Sequence, residues 1–253
     1  MEWWKDLCEY YKVDKETAIQ LGVRKTGRKP NFPSSPTCPA VGGKNMEEFW
    51  DSKPRNTIQQ KMDFYKDIGA WSVFRQCNYR SNFNYGRYFG NNLKDGASVV
   101  EYGCGVAPFV NWLIENDARI DLSTCKFSLV DVASETLEFA KWRLNKKRPD
   151  LQFDFHEITE KYAVPKFTQN FDIICIMDVF EHLPNPYDVV DNLISHSNKN
   201  CIMVETWVDK TGGKAGGPDL EESDNERPQT EALLNSKYPI AKGGSIRARV
   251  FGG

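Results

Sequence analysis

The sequence predicts an α/β domain with a doubly wound, mostly parallel sheet and an N-terminal helical extension. Short apolar runs alternate with helical patterns between residues 97 and 207, the helical patterns falling at 106–116, 134–147 and 186–197. The apolar runs are SVVEY, KFSLVD, LQFDFHE, FDIICIMD and NCIMVETW. Apolar strands that alternate with helices are typical of a parallel sheet covered on both faces.

The starts of two predicted helices agree with this fold class. Ser134 precedes a segment whose acidic residues come early and whose basic residues come late, which complements the helix dipole. Asn185 offers a capping side chain, and Pro186 takes the first helical position, where proline is favoured. We therefore expect helices to begin at these two places.

The segments before the core are predicted to be of two kinds. Residues 1–44 form an arm and linker, with a short helix from Trp3 to Tyr11 and then a stretch rich in proline and glycine. Residues 45–96 form a helical, aromatic-rich cap, in which Thr57 and Gln60 have the spacing of a capping box. The aromatic rings fit either a helical core layer or a cover over a ligand cleft.

The segment after the core, residues 208–253, changes character again. Its first half is rich in glycine and charge and has little to bury, so we expect a mobile loop or lid there. Beyond it, TEALLNSKY predicts a helix and SIRARVF predicts a strand.

Composition narrows the class of protein. The 253 residues suit one main domain, and no apolar run approaches the ~20 residues of a membrane span. The N-terminus lacks the basic start and apolar core of a secretory signal. Seven cysteines without a Cys-x-x-Cys pair, and only three histidines, favour reduced thiols in the cytoplasm and argue against a metal site. The net charge of −2 gives no global attraction to nucleic acid, and the basic run at 24–29 is interpreted as a solvated linker.

A glycine turn follows the first predicted strand. Gly103 and Gly105 would reach the carboxyl edge of the sheet, where open α/β folds bind ligands. Pro108 stands where a dinucleotide fingerprint has its third glycine, and the lysine of a phosphate-binding loop is absent. Glu101 would repel a pyrophosphate but attract an ammonium group, directly or through water. The turn therefore predicts a ligand with a cationic tail.

An acidic residue lies at or near the end of each of the next three predicted strands. Asp131 is placed to accept both hydroxyls of a ribose, and Glu157 is placed to accept an adenine amino group. The fourth strand ends at Asp178, in MDVFEHLPNP. A glycine turn followed by three such acids describes a site for an adenosine that carries a cationic amino-acid tail.

These motifs resemble those of the class I S-adenosylmethionine-dependent methyltransferases. The matching stretches are VVEYGCG, LVDVASETLEFAK and FDIICIMDVFEHLPNP, and the last is similar to the small-molecule O-methyltransferases of the ubiquinone-biosynthesis type. The resemblance implies a Rossmann-like methyltransferase fold with S-adenosylmethionine as cofactor. The sequence departs from the family where Ala107 and Pro108 replace a third glycine, where the spacing from Gly105 to Asp131 is longer than usual, and after Trp207, where the final antiparallel strand pair is not evident.

The resemblance also implies roles for individual residues. The methionine part of the cofactor would be surrounded by Glu101, Gly103, Cys104 and Gly105. Ribose and adenine would be held by Asp131 and Val132, and adenine also by Glu157 and Ile158. Asp178 would lie close to the transferring methyl group.

His182 is the candidate catalytic base. It follows the fourth strand near the reactive end of the cofactor, and its pKa class suits proton transfer from a hydroxyl. The alternative is that His182 caps or packs the following loop. His156 lies in an alternating strand and His196 lies late on a surface helix, so both are assigned structural roles.

The predicted function is methyl transfer to a small-molecule or glycan acceptor, at a hydroxyl group. Three alternatives stay open. A nucleic-acid methyltransferase or binding protein would use the basic run and the aromatic rings, and its affinity would fall steeply with salt. A non-catalytic partner subunit would be expected to lose the cofactor acids, and a nicotinamide oxidoreductase is disfavoured by Pro108.

Overall fold

A computed structural model describes residues 3–20, 46–80, 85, 89, 93–116, 120–159, 164–207, 219–238 and 249–251. The basic run at 24–29 and the glycine-rich residues 208–218 lie outside the described residues, so the expectations for them are not addressed by the structure.

A six-stranded sheet forms the centre of the molecule, with strand order β3-β2-β1-β4-β5-β6. The first five strands are parallel, and β6 pairs antiparallel with β5. The strands are β1 Ser98–Tyr102, β2 Lys126–Val132, β3 Phe153–Ile158, β4 Phe171–Met177, β5 Ser197–Thr206 and β6 Arg249–Phe251. The sheet confirms the predicted fold class, and β6 falls within the predicted SIRARVF strand.

Helices connect the strands and cover both faces of the sheet. Those before the sheet are α1 Trp3–Tyr11, α2 Lys15–Gln20, α3 Met46–Asp51, α4 Ile58–Ile68 and α5 Ala70–Arg80. Those after β1 are α6 Pro108–Asn116, α7 Glu135–Lys147, α8 Pro186–Ser195 and α9 Glu221–Lys237. Short 3-10 turns occupy Leu122–Thr124 and Phe180–His182.

Alternation along the strands divides the core into two layers. On β1, Val99 packs in one hydrophobic cluster and Val100 in the other, because successive side chains of a strand point to opposite faces. The cluster of Val99 includes apolar side chains of α6 and α7, and that of Val100 includes side chains of α8 and α9. The helices therefore cover both faces of the sheet, as the sequence predicts.

A third cluster joins the N-terminal helices to the sheet domain. Its aromatic members from α4 and α5 include Phe64, Trp71 and Phe74, each at most 4% exposed. They pack with Trp3 of α1 and with Phe139 of α7. These rings thus form a core layer, which is one of the two interpretations the sequence left open.

The predicted helix starts are reproduced, but two of the expected side-chain caps are not formed among the described residues. Gln60 donates its backbone N–H to Thr57 Oγ1 (3.2 Å), and Thr57 donates its own to Gln60 Oε1 (3.2 Å), which completes the capping box. Pro186 opens α8 as predicted. Within the described part of the chain, however, neither Ser134 nor Asn185 forms a capping bond through its side chain.

The C-terminal helix corrects one expectation. The sequence predicts a loop through residue 229, but α9 begins at Glu221 and runs through Pro228. Its first turn is fastened to the Phe180–His182 turn, since Ser223 Oγ donates to the carbonyl of Phe180 (2.6 Å). Acidic residues in that turn also complement the helix dipole. Tertiary anchoring thus forms a helix whose sequence has little apolar periodicity. Among the residues described, no helix has the length and apolarity needed to cross a membrane.

Candidate functional site

The glycine turn between β1 and α6 is a tight left-handed turn. Gly103 has φ +64° and Gly105 has φ +53°. A Cβ atom at Gly103 would overlap a methyl group of Val179, and one at Gly105 would overlap the amide oxygen of Gln76. Positive φ favours glycine at both positions. At Gly103 the short, branched side chain of Val179 also leaves no space for a Cβ atom, whereas the flexible Gln76 side chain can move away from one at Gly105. Gln76, on α5, was not identified from the sequence, and its Oε1 accepts a hydrogen bond from the N–H of Val106 (3.2 Å).

Glu101 lies beneath this turn. Its two carboxylate oxygens accept hydrogen bonds from the backbone N–H groups of Phe109 and Val110, each 3.0 Å long. The residue is 4% exposed, so its negative charge caps the N-terminus of α6 in a buried setting. Glu101 thus has a structural role that sequence analysis missed, and its predicted role toward a cationic tail stays a prediction.

Asp131, at the end of β2, links that strand to the glycine turn. Its Oδ1 accepts from the N–H of Val132 (2.7 Å), and its Oδ2 accepts from the N–H of Gly105. Burial raises the pKa of Asp131 from 3.8 to about 6, and the two amide bonds act in the opposite direction. The neighbouring Cys104 donates its N–H to the carbonyl of Val130 (2.9 Å) while its thiol is buried in the core. The thiol also donates to the carbonyl of Gly105 (3.9 Å), so both the backbone and the side chain of Cys104 contact the turn.

The end of β3 lies beside the end of β2. In the register of the two strands, Asp131 is opposite Glu157, and Val132 is opposite Ile158. Val132 and Ile158 are buried in one hydrophobic cluster. Glu157 is more exposed and forms an ion pair with Lys141 of α7. The structure thus brings the predicted ribose and adenine residues together at the carboxyl edge.

Asp178 follows β4 at the same edge and has a left-handed backbone, with φ +51°. Its N–H donates to Thr206 Oγ1 (2.6 Å), and the hydroxyl of Thr206 donates to Asp178 Oδ1 (2.8 Å). A residue other than glycine at positive φ is uncommon, and such residues concentrate at functional sites. The paired bonds with Thr206, at the end of β5, hold Asp178 in this conformation.

His182 lies in the turn after β4 and has a carboxylate partner. Its Nδ1 is 3.4 Å from Oδ1 of Asp219, and both side chains are largely buried. The ring of Tyr65, from α4, meets the imidazole edge to face, with centroids 6.5 Å apart. In histidine general bases a carboxylate lies beside Nδ1 while Nε2 takes the proton, so this pair agrees with the role expected of His182, which stays a prediction.

Asp219 is held next to this turn by the backbone. The following residue, Leu220, donates its N–H to the carbonyl of Glu181 (2.8 Å). Asp219 was not identified from the sequence because it lies in a predicted loop, and Tyr65 was not identified because it is one of many aromatic residues in the predicted helical cap. No local pattern in the sequence connects either residue with His182.

The other two histidines lie away from the carboxyl edge. His156 is in the middle of β3 opposite Val130, and its Nε2 is 2.9 Å from Asp154 Oδ2. His196 ends α8, and its Nδ1 lies 2.8 Å from the carbonyl of Asn192. In the described residues no cluster of three or more His, Cys, Asp or Glu side chains has the arrangement of a metal site.

The sequence is similar to those of known methyltransferases. A family model described as a methyltransferase domain matches residues 74–233. The chain is 28% identical over 119 residues to a ubiquinone biosynthesis O-methyltransferase of Coxiella burnetii, a match that covers 47% of this chain and 42% of that relative. A protein of the same name from Histophilus somni is 23% identical over 117 residues, covering 45% of each chain. The chain thus spans less than half the length of these curated relatives.

A solved structure supports the fold. The crystal structure of a SAM-dependent methyltransferase from Aquifex aeolicus superimposes with a TM-score of 0.50 at 15% identity, covering 78% of this chain and 98% of that one. At this level of identity the likeness establishes the architecture of the sheet and its helices.

Proposed function

The chain belongs to the S-adenosylmethionine-dependent methyltransferases, and we propose that it transfers the methyl group to a hydroxyl of a small-molecule or glycan acceptor. The observation that carries this proposal is the pairing of His182 with Asp219 directly after β4. A hydroxyl must lose its proton as it is methylated, and this pair provides a base at the place where the family binds the reactive end of its cofactor.

The residues at the carboxyl edge fit the cofactor. Gly103 and Gly105 give the turn the left-handed backbone that exposes its amide groups at the carboxyl edge, and acidic residues end the neighbouring strands. In the proposal, Glu101 and the turn of Gly103, Cys104 and Gly105 hold the methionine part. The nucleoside part is held by Asp131, Val132, Glu157 and Ile158. The cofactor supplies an electrophilic sulfonium methyl group, close to Asp178.

The chemistry then requires alignment and a proton acceptor. Holding the acceptor oxygen in line with the methyl group lowers the barrier by about 7–11 kcal/mol when the alignment is good. His182 takes the hydroxyl proton at Nε2, which contributes ~10²–10⁴-fold in rate. Asp219 holds the imidazole through Nδ1 and stabilises the imidazolium that forms. The ring of Tyr65 covers one side of the imidazole.

The proposed acceptor class is supported by the curated relatives. Both are named as O-methyltransferases of ubiquinone biosynthesis, and a small hydroxyl-bearing acceptor suits a base of this kind. The acidic residues that are expected to bind the cofactor are present at the carboxyl edge of the sheet. Their presence disfavours the alternative of a non-catalytic partner subunit.

The test separates cofactor binding from chemistry. Calorimetry with S-adenosylhomocysteine measures binding to the wild type, Asp131→Ala and His182→Ala, and transfer of a labelled methyl group to phenolic and sugar acceptors measures turnover. We expect Asp131→Ala to lose cofactor binding, and His182→Ala to bind normally but turn over ~10²–10⁴-fold more slowly. His196→Ala, at a histidine away from the site, is the matched control. Equal turnover in His182→Ala and His196→Ala would show that His182 is not the catalytic base. A folded wild type that does not bind S-adenosylhomocysteine would refute the proposed function.

A further inference from the structure

A buried asparagine lies in the first half of α6, directly behind the glycine turn. Asn111 is 0% exposed, although asparagine is neither a good helix former nor a usual core residue. Its Nδ2 donates to the carbonyl of Ala107 (2.7 Å) and to the carbonyl of Val106 (3.1 Å). These bonds use both of its donors on the segment of the turn that precedes the helix.

The same segment contains the departure from the family's glycine pattern. Ala107 has φ +53°, a left-handed conformation in which its Cβ atom is strained. Glycine adopts this conformation without strain, so alanine needs an additional restraint. The bonds from Asn111 to both neighbouring carbonyls provide such a restraint.

The amide oxygen of Asn111 is in turn held by a buried cation. Arg143 of α7 is fully buried and donates through Nη1 to Asn111 Oδ1. Its Nε donates to Asp6 of α1 (2.7 Å), and its Nη2 donates to Glu115 (2.8 Å). The guanidinium also lies 3.7 Å from the ring centroid of Trp3. Arg143 is thus fixed from several directions and fixes the orientation of the Asn111 amide.

We infer that Asn111 is a positioning residue that holds the Val106–Ala107 segment in the conformation that binds the cofactor, and that Asp6 of the N-terminal helix supports it through Arg143. The connection runs from α1 through the buried ion pair of Asp6 and Arg143, then through the bond from Arg143 to Asn111, and then through the two bonds from Asn111 to the backbone of the glycine turn. It explains how the turn keeps its shape with alanine in place of glycine. The inference rests on cofactor binding at this turn and is independent of the acceptor.

The test uses Asn111→Asp in the full chain. Aspartate keeps an acceptor for Arg143, but its side chain has no N–H to donate to the carbonyls of Val106 and Ala107. The backbone N–H of residue 111 still donates to the carbonyl of Ala107 (3.0 Å), so only the side-chain bonds are removed. We expect S-adenosylhomocysteine to bind about tenfold more weakly, which is the effect of losing the net contribution of roughly one hydrogen bond. Asn116→Asp is the control, because Asn116 lies on the same helix, is exposed, and donates through its side chain to the carbonyl of Trp112 (2.9 Å) rather than to the glycine turn.

A second substitution distinguishes positioning from a general loss of structure. Replacing Ala107 by glycine relieves the left-handed strain, so Asn111→Asp combined with Ala107→Gly should regain affinity to within about threefold of the wild type. The melting temperature is measured for each variant. A purely structural role would lower the melting temperature and affinity together, without rescue of affinity by glycine.

The contribution of α1 is tested by Asp6→Asn, which leaves the turn and Asn111 unchanged. We expect affinity between those of the wild type and Asn111→Asp, because Arg143 keeps Glu115 and Asn111 as partners. Wild-type affinity in Asn111→Asp, or no rescue by Ala107→Gly, would overturn the positioning role. Wild-type affinity in Asp6→Asn would overturn the part assigned to α1. A folded wild type that fails to bind would instead refute the proposed function along with this inference.

Discussion

The carboxylate of Asp131 accepts a hydrogen bond from the backbone amide of Gly105, so the acid expected to bind ribose also holds the glycine turn. One side chain thus connects the ends of β1 and β2, which bind opposite ends of the cofactor in the proposed site. Its protonation state consequently affects both the turn and the ligand.

The raised pKa of Asp131 predicts pH-dependent cofactor binding. The ionised carboxylate accepts ribose hydroxyls in charge-assisted bonds, and protonation near its pKa of about 6 replaces one acceptor by a donor. We expect affinity for S-adenosylhomocysteine to be constant at neutral pH and to fall as pH decreases through about 6. Calorimetry across this range measures the effect. Asp131→Asn, which cannot titrate, should bind weakly at every pH, and a wild-type affinity that stays flat would contradict the assignment.

The same pKa has the opposite consequence for the stability of the free protein. Because the folded pKa of about 6 exceeds the ordinary value of 3.8, the folded state holds more protons between these values. The contribution of Asp131 to the free energy of unfolding is therefore greatest at low pH and is lost as pH rises through this window, by up to about 3 kcal/mol. Urea unfolding of wild type and Asp131→Asn checks this. Relative to the wild type, the variant should gain stability as pH rises from about 4 to about 6 and then stay level, whereas a constant difference would contradict the prediction.

The sheet was predictable because its signals are local. Apolar runs mark the strands, and parallel strands place their carboxyl ends at one edge, so Asp131, Glu157 and Asp178 were expected to lie near one another. Their spacing in the sequence was sufficient for this conclusion, since the order of strands and helices is regular.

The partners of these residues were not predictable, because they depend on packing between distant segments. Asp219 meets His182 only because α9 is fastened to the turn after β4, and the sequence of α9 does not show that contact. Gln76 contacts the glycine turn from a helix of the N-terminal cap. In the sequence, Asn111 is only a single polar residue within an apolar helical segment. Glu101 was recognised as a site acid, but its bonds to the start of α6 depend on the three-dimensional turn.

The His182–Asp219 pair predicts a variant that is defective in chemistry alone. Asp219→Asn removes the negative charge that stabilises the imidazolium, so we expect kcat to fall by about 10- to 100-fold with unchanged affinity for S-adenosylhomocysteine. The double variant with His182→Ala should be no slower than His182→Ala by itself, because residues that act as a unit are not additive. Steady-state methyl transfer and calorimetry provide the two measurements.

The control for this prediction is Asp188→Asn, in the exposed first turn of α8. It makes the same change of charge on an element next to the His182 turn and should leave kcat within about twofold, as expected of a surface change. If Asp219→Asn kept the wild-type kcat, or if the double variant were much slower than His182→Ala, the two residues would not act together.

The burial of Arg143 predicts a large loss of stability when its charge is removed. Arg143→Met leaves the carboxylates of Asp6 and Glu115 without their buried partner, and breaking a buried ion pair in this way costs about 3–5 kcal/mol. Part of this loss is offset, because Lys146 and Lys147 lie 3.7 Å and 3.6 Å from Asp6 and Lys147 also pairs with Glu115, so we expect the lower end of the range. Urea unfolding measures the change.

The control is Arg148→Met, one residue after the end of α7. This substitution breaks an exposed pair with Asp150 (2.6 Å) and should change the free energy of unfolding by less than about 1 kcal/mol. Equal effects of the two substitutions would show that α1 is not held to the sheet domain by the charge of Arg143.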